Sequence, residues 1–175
     1  MIVGIVAAKG NSKRFPGKNL YSVDNVPMFW HSVLPLIKSQ SVDKVYVATD
    51  SLEIKNFCET RDVPVIWRGP NASRDEDKLI TILRFGYYSL AEDPDAVVTI
   101  MANCPGHTAE AVDKVVKLLV DNNLNEARTF SSDGQESGLM VFSKKILQSN
   151  QDISYYIGAT TEDVKEIHYL EDLDE

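Results

Sequence analysis

Six apolar residues, Ile2-Val3-Gly4-Ile5-Val6-Ala7, run straight into a segment that holds four cations and no carboxylate: Ala8-Lys9-Gly10-Asn11-Ser12-Lys13-Arg14-Phe15-Pro16-Gly17-Lys18-Asn19. The apolar half is short, continuous and largely β-branched, the pattern of a strand buried on both faces. Such a strand needs a neighbour on each edge and helices over each face. The rest of the chain has the matching pattern. Strands are expected at 44–49, at 63–66 with Pro64 marking a sheet edge, at 96–101, 128–130, 139–142, 154–157 and 165–169. Helical spacing falls between them. It runs over 26–39 from Pro27, with Phe29, Val33, Leu36 and Ile37 inward, and over 52–60. It returns over 77–91, with Leu79, Ile82, Leu83, Phe85 and Leu90 inward, and over 108–122, with Val112, Val115, Val116 and Leu119 inward. Strands alternating with helices of this length predict an α/β, Rossmann-like fold, a mainly parallel sheet with helices on both faces.

In such sheets ligands sit outside the carboxyl ends of the strands. The basic loop, Thr49-Asp50, the 67–75 loop and Asn103 all fall at that end. The chain as a whole carries a net charge of -8, which argues against a general nucleic-acid or membrane-surface binder and makes the cationic loop a local feature. Lysines this close together repel unless an anion compensates them. Glycine lets backbone N–H groups approach such an anion, and successive N–H groups in a turn form a nest for it. A triphosphate across the end of the first strand is the expected ligand; a solvated basic loop is the alternative. The spacing is neither G-x-x-x-x-G-K-[ST] nor G-x-G-x-x-G.

At 175 residues with 43% hydrophobic content, one domain, 1–175, with a real core is expected. Cys58 and Cys104 lie far apart without C-x-x-C spacing, so a reduced, cytoplasmic setting without disulfide or zinc is expected. No stretch has the length of a membrane span or the flanks of a signal peptide. A buried structural role is the expectation for Cys104, with a nucleophile helped by His107, three residues on, as the weaker alternative.

The loop resembles the signature A-R-G-G-S-K-R-x-P-x-K-N of the cytidylyltransferases that make CMP-activated acidic sugars, the CMP-sialic acid (acylneuraminate) synthetases and the related Kdo enzymes. Ala8, Gly10, Ser12, Lys13, Arg14, Pro16, Gly17, Lys18 and Asn19 match. Lys9 stands for the family's arginine and Asn11 for a glycine. Val47-Ala48-Thr49-Asp50-Ser51 is similar to the family's V-S-T-D-S, residues 68–75 to its R-P-x-x-L-A-x-D, 137–142 to its N-G-x-x-Y strand, and 166–173 to its D-I-D-T-x-E-D-L. The chain looks like the family core, a nucleotide-diphospho-sugar transferase type of fold. Most of the family's dimerisation insertion, expected between about Thr129 and Tyr155, is absent; this leaves homodimerisation open.

The resemblance implies attack of a sugar's anomeric hydroxyl on the α-phosphorus of CTP, giving a CMP-sugar and pyrophosphate. It implies Lys18 and Lys9 as the catalytic cations. Lys9, Gly10, Asn11, Ser12, Lys13 and Lys18 would bind the phosphates, with Asn19 and Ser73 at the pyrimidine. An Asx turn is the other reading of Asn19. Asn103 is the candidate contact to the acceptor, in a segment, 100–107, that lacks the family's usual letters. The family's magnesium-holding aspartates align with Glu166 and His168, and histidine is a poor ligand for so hard a cation. Asp50 and Asp75 are either further ligands or helix caps. Two rivals remain: a descendant that binds a nucleotide or sugar without turnover, and a transferase using another NTP or a sugar phosphate. A glycosyltransferase is disfavoured, because Asp75-Glu76-Asp77 and Asp93-Pro94-Asp95 sit at helix ends rather than after a strand.

Overall fold

The computed structural model describes residues 1–12, 15–69, 78–149 and 156–173. In chain order the strands are β1 (Ile2–Ala7), β2 (Ser22–Val23), β3 (Val26–Pro27), β4 (Lys44–Thr49), β5 (Val65–Trp67), β6 (Ala96–Ile100), β7 (Glu126–Phe130), β8 (Glu136–Ser143) and β9 (Ile157–Thr161). The helices are α1 (Trp30–Lys38), α2 (Leu52–Glu59), α3 (Leu79–Ser89), α4 (Ala109–Asp121) and α5 (Lys144–Gln148). Seven strands form one sheet in the order β5-β4-β1-β6-β8-β7-β9. All run one way except β8, which is antiparallel to both β6 and β7. The expected mainly parallel sheet is therefore present, with Pro64 just before the edge strand β5.

Helices cover both faces. Phe29, Val33 and Leu36 of the α1 region, Ile54 and Cys58 of α2, and Val112, Val115, Val116 and Leu119 of α4 pack on one face. Leu83 and Tyr87 of α3 and Ile146 and Leu147 of α5 pack on the other. Burying each aliphatic side chain of these stripes contributes about 1.5–3 kcal/mol. No helix among the described residues is long and apolar enough to cross a membrane.

Four expectations are corrected. The helix expected from residue 26 begins at Trp30, because Asp24 and Asn25 take φ of 49° and 65° and turn β2 back into β3. Positive φ at both central residues is the geometry of a two-residue hairpin. Ile37, expected inward, is exposed. In α3 Phe85 is exposed, and Gly86 and Tyr87 face the sheet instead, with Gly86 lying against Ile5. Residues 165–169 form no strand. Their backbone goes to loop partners: Ile167 N donates to Asn103 O at 2.7 Å. Of the strand expected at 154–157, residues 154 and 155 lie outside the described residues, and the strand seen is β9.

Candidate active site

The parallel pairing of β1 with β4 and β6 brings the segments that leave their carboxyl ends together. The start of the cationic loop is tied down there. Gly10 N donates to Asp50 Oδ1 at 2.8 Å. A side chain on Gly10 would place its Cβ 2.8 Å from Ser51 Cβ, so only glycine lets the loop lie against the start of α2. Ser51 is the cap of that helix, accepting from Ile54 N at 3.3 Å. Asp50, whose role the sequence leaves between ligand and cap, is thus the acceptor that holds the loop. The buried Asn19 closes its other end: Nδ2 donates to Lys9 O at 2.8 Å, while its carbonyl accepts from Phe29 N. Lys9 is half-buried, Asn11 exposed and Ser12 buried. Lys13, Arg14, Ser73 and Asp75 lie outside the described residues.

Lys18 is only 9% exposed, and its Nζ donates to Ile167 O at 3.0 Å. Ile167 belongs to a strap, residues 162–168, that crosses the loop 103–107 after β6. Glu162 Oε2 lies 2.8 Å from His107 Nδ1 at one end of the crossing. At the other end Asn103 Nδ2 donates to Glu166 Oε1 at 2.7 Å and to Ile167 O at 3.3 Å. His107 Nε2 meets Ser137 O at 2.6 Å. Both partners of the imidazole are oxygen atoms, one from the strap and one from β8. Asp172 Oδ2 then accepts from the backbone N–H groups of His168 and Tyr169. The N–H of Tyr169 and then that of His168 hold its carboxyl below the ordinary value. Sequence reasoning missed this strap and the His107–Glu162 pair. The signal for it is a pair of apolar residues, Val164 and Ile167, set in a polar stretch.

Cys104 lies beneath the crossing. Burial pushes its thiol up to about 12, with Glu166 adding to the shift and Lys18 opposing it. A low-pKa nucleophile needs the reverse, and His107, the expected base, is already held by Glu162 and Ser137. The structural role expected for this cysteine fits its packing: the thiol lies on Gly138, where an added Cβ would fall 2.5 Å from Sγ.

Glu166 and His168 face each other rather than a common cation, with Glu166 Oε2 3.1 Å from His168 Nε2 and Oε1 taken by Asn103. Among the described residues no group of three or more His, Cys, Asp or Glu converges as a metal cluster. The carboxylate suits a hard cation and the imidazole does not, so this pair does not fit magnesium. Beside it opens a cleft of about 620 Å³ between the β7–β8 turn and the strap, lined by Ser132, Asp133, Glu136, Asp163, Glu166 and His168 among others. That volume lies within the range of small-molecule sites, about 300–1,000 Å³.

A mainly parallel sheet with helices on both faces and a cationic loop at the end of its first strand is the fold of the nucleotide-diphospho-sugar transferase type. A family model described as cytidylyltransferase matches residues 3–161, and the chain belongs to that family. The N-acylneuraminate cytidylyltransferase of Streptococcus agalactiae serotype III (strain NEM316) is 26% identical over 137 residues, 77% of this chain and 33% of that protein. The 3-deoxy-manno-octulosonate cytidylyltransferase of Bdellovibrio bacteriovorus is 31% identical over 121 residues, 69% of this chain and 47% of that protein. The chain thus spans between a third and a half of these curated relatives. A CMP:2-keto-3-deoxy-manno-octonic acid synthetase solved with CTP superimposes with a TM-score of 0.83 at 15% identity, covering 99% of this chain and 95% of that one. A Mycobacterium tuberculosis protein of the same fold, TM-score 0.70 at 11% identity over 99% of this chain and 96% of that one, was solved with manganese.

Proposed function

We propose that this chain is a CTP-dependent nucleotidyltransferase that makes a CMP-sugar from an acidic sugar of the sialic acid or Kdo type. The anomeric oxygen would bond to the α-phosphorus of CTP as the bond to the β-phosphate oxygen breaks. Pyrophosphate leaves, and the hydroxyl proton passes to solvent. Reactions of this class need charge neutralisation and in-line positioning more than covalent help. The observation that carries the reading is the carboxylate-free cationic loop, anchored by Asp50 and Asn19 beside the ends of β1 and β4. Lys18 and Lys9 would neutralise the phosphates, with the amides of Asn11, Ser12 and Lys13 as their cradle and Asn19 and Ser73 at the base. Magnesium belongs to the reading as a counter-ion carried by the triphosphate itself. The proposal includes a cytoplasmic setting and a single domain, 1–175, in which the β7–β8 turn stands where the family's dimerisation insertion would be. Sedimentation of the same sample reads whether a homodimer forms.

Calorimetric titration with CTP and with ATP, alongside pyrophosphate release with pooled acidic sugars, tests the reading. CTP-selective binding that weakens at least tenfold in Lys18→Ala, together with release, is the expected result. Equal CTP and ATP affinities that ignore Lys18 would overturn it. A second reading, nucleotide or sugar binding without turnover, draws on the mutual pairing of Glu166 and His168 and on the carboxylates Asp133, Glu136 and Asp163 of the cleft, which disfavour an anionic acceptor. Binding without release would select it.

A further inference from the structure

We propose that Asn103 is a positioning residue for the Lys18 ammonium, acting through the carbonyl of Ile167 rather than touching the acceptor. The inference rests on the reading of Lys18 as a phosphate-binding group. A lysine ammonium is a point charge on a flexible four-carbon stem, so it neutralises a phosphate well only if something holds it in place. Here that holder is a backbone carbonyl. Ile167 O accepts from Lys18 Nζ at 3.0 Å and from Asn103 Nδ2 at 3.3 Å. Asn103 grips the same strap residue a second time, its own carbonyl accepting from Ile167 N at 2.7 Å. The amide nitrogen of its side chain also donates to Glu166 Oε1 at 2.7 Å. Both Asn103 and Lys18 are nine-tenths buried, and Ile167 is 3% exposed, so these bonds form where water competes poorly for them. An ammonium donates from three positions, and the bond to the Ile167 carbonyl fixes where this one stands. With its side-chain amide turned wholly onto the strap, Asn103 is poorly placed to donate to a sugar.

The test is a double-mutant cycle on CTP affinity, measured by calorimetry on the full chain. Asn103→Asp keeps the shape but removes both side-chain donors and sets a carboxylate against Glu166. Asn103→Ser serves in its place if the aspartate variant fails to fold. The expected result is a roughly tenfold loss of CTP affinity in the wild-type background and less than twofold in Lys18→Ala, since the substitution acts only through the lysine. In the free protein the Lys18 ammonium should give a slowly exchanging ¹⁵N–¹H signal that Asn103→Asp abolishes. A fold-only role would leave the cycle additive. Additive losses, or an intact Lys18 signal in the variant, overturn the proposal and leave the CTP reading standing. A gain in CTP affinity on loosening the strap also overturns it, because the strap would then compete with phosphate for the lysine. Lys18→Ala binding CTP like the wild type removes the CTP reading and this proposal together.

Discussion

Replacing Gly138 by alanine should lower the melting temperature by about 4–20 °C, since each kcal/mol shifts a domain of this size by about 2–4 °C. Gly138 has φ of +89°, where an L side chain costs about 1–2 kcal/mol. The new Cβ would stand 2.5 Å from Cys104 Sγ, 3.1 Å from Cys104 Cβ and 3.4 Å from Met101 Cβ. Forcing a methyl into packing this tight costs about 1–3 kcal/mol more. The two causes separate in a double-mutant cycle. Cys104→Ala removes the closest atom and should return part of the packing loss in the Gly138→Ala background, while the backbone share remains. Thermal unfolding of the four proteins by calorimetry reads both. A Gly138→Ala protein that melts within a degree of the wild type would refute the steric argument, and strictly additive losses would refute the assignment to Cys104. The functional site feels the change too: the Gly138 carbonyl accepts from Met101 N at 2.8 Å, and the neighbouring Ser137 carbonyl holds His107.

Gly10→Ala should lift the cationic loop off α2, because its Cβ would come within 2.8 Å of Ser51 Cβ; faster exchange of the residue-10 amide that Ser51→Gly reverses is the expected outcome. Asp113 supports the end of α1. Burial pushes its carboxyl up, but hydrogen bonds from Ser39, Ser41 and Gln40 outweigh this and hold it below 3.8. A carboxyl depressed by folding stabilises the fold above its unfolded value and loses that effect as pH falls through the folded value. Asp113→Asn should therefore melt lower than the wild type near neutral pH, with the gap closing below 3.8; a gap constant with pH would count against this. The two thiols, raised by burial to about 11 for Cys58 and about 12 for Cys104, should resist a disulfide reagent in the native protein and react in denaturant. Fast modification of the folded chain would show an opening to solvent that the packing does not allow for.

The central sheet was legible because β1 and β6 are buried on both faces and so are written as short, largely apolar and β-branched runs. In α4 a single apolar face made the inward residues plain. The β2–β3 hairpin was not legible in the same way. Its signal is the Asp24-Asn25 turn, and the adjacent Pro27 suits a helix start equally well. In α3 the apolar residues cover more than one face, and Gly86 against Ile5 decides between them only once the sheet exists. At the site the lettering of the loop pointed to its residues, but the partners of those residues lie elsewhere. Lys18 is held by a carbonyl, a group that every residue carries, so no choice of side chain announces it. His107 reads as a helix-start residue until β8 and β9 bring Ser137 and Glu162 to its two nitrogens.

The Lys18–Ile167 bond joins residues 149 positions apart. Contacts this distant carry the largest loop-closure entropy and tend to form late in folding. On a ribosome adding about 5–20 residues per second, Lys18 would wait about 7–30 s for its carbonyl. The cationic loop of this acidic chain is therefore made well before the strap that finishes it. Through that interval the nascent chain carries an uncovered positive segment, and the lysine is fixed only after the sheet that supports it is in place.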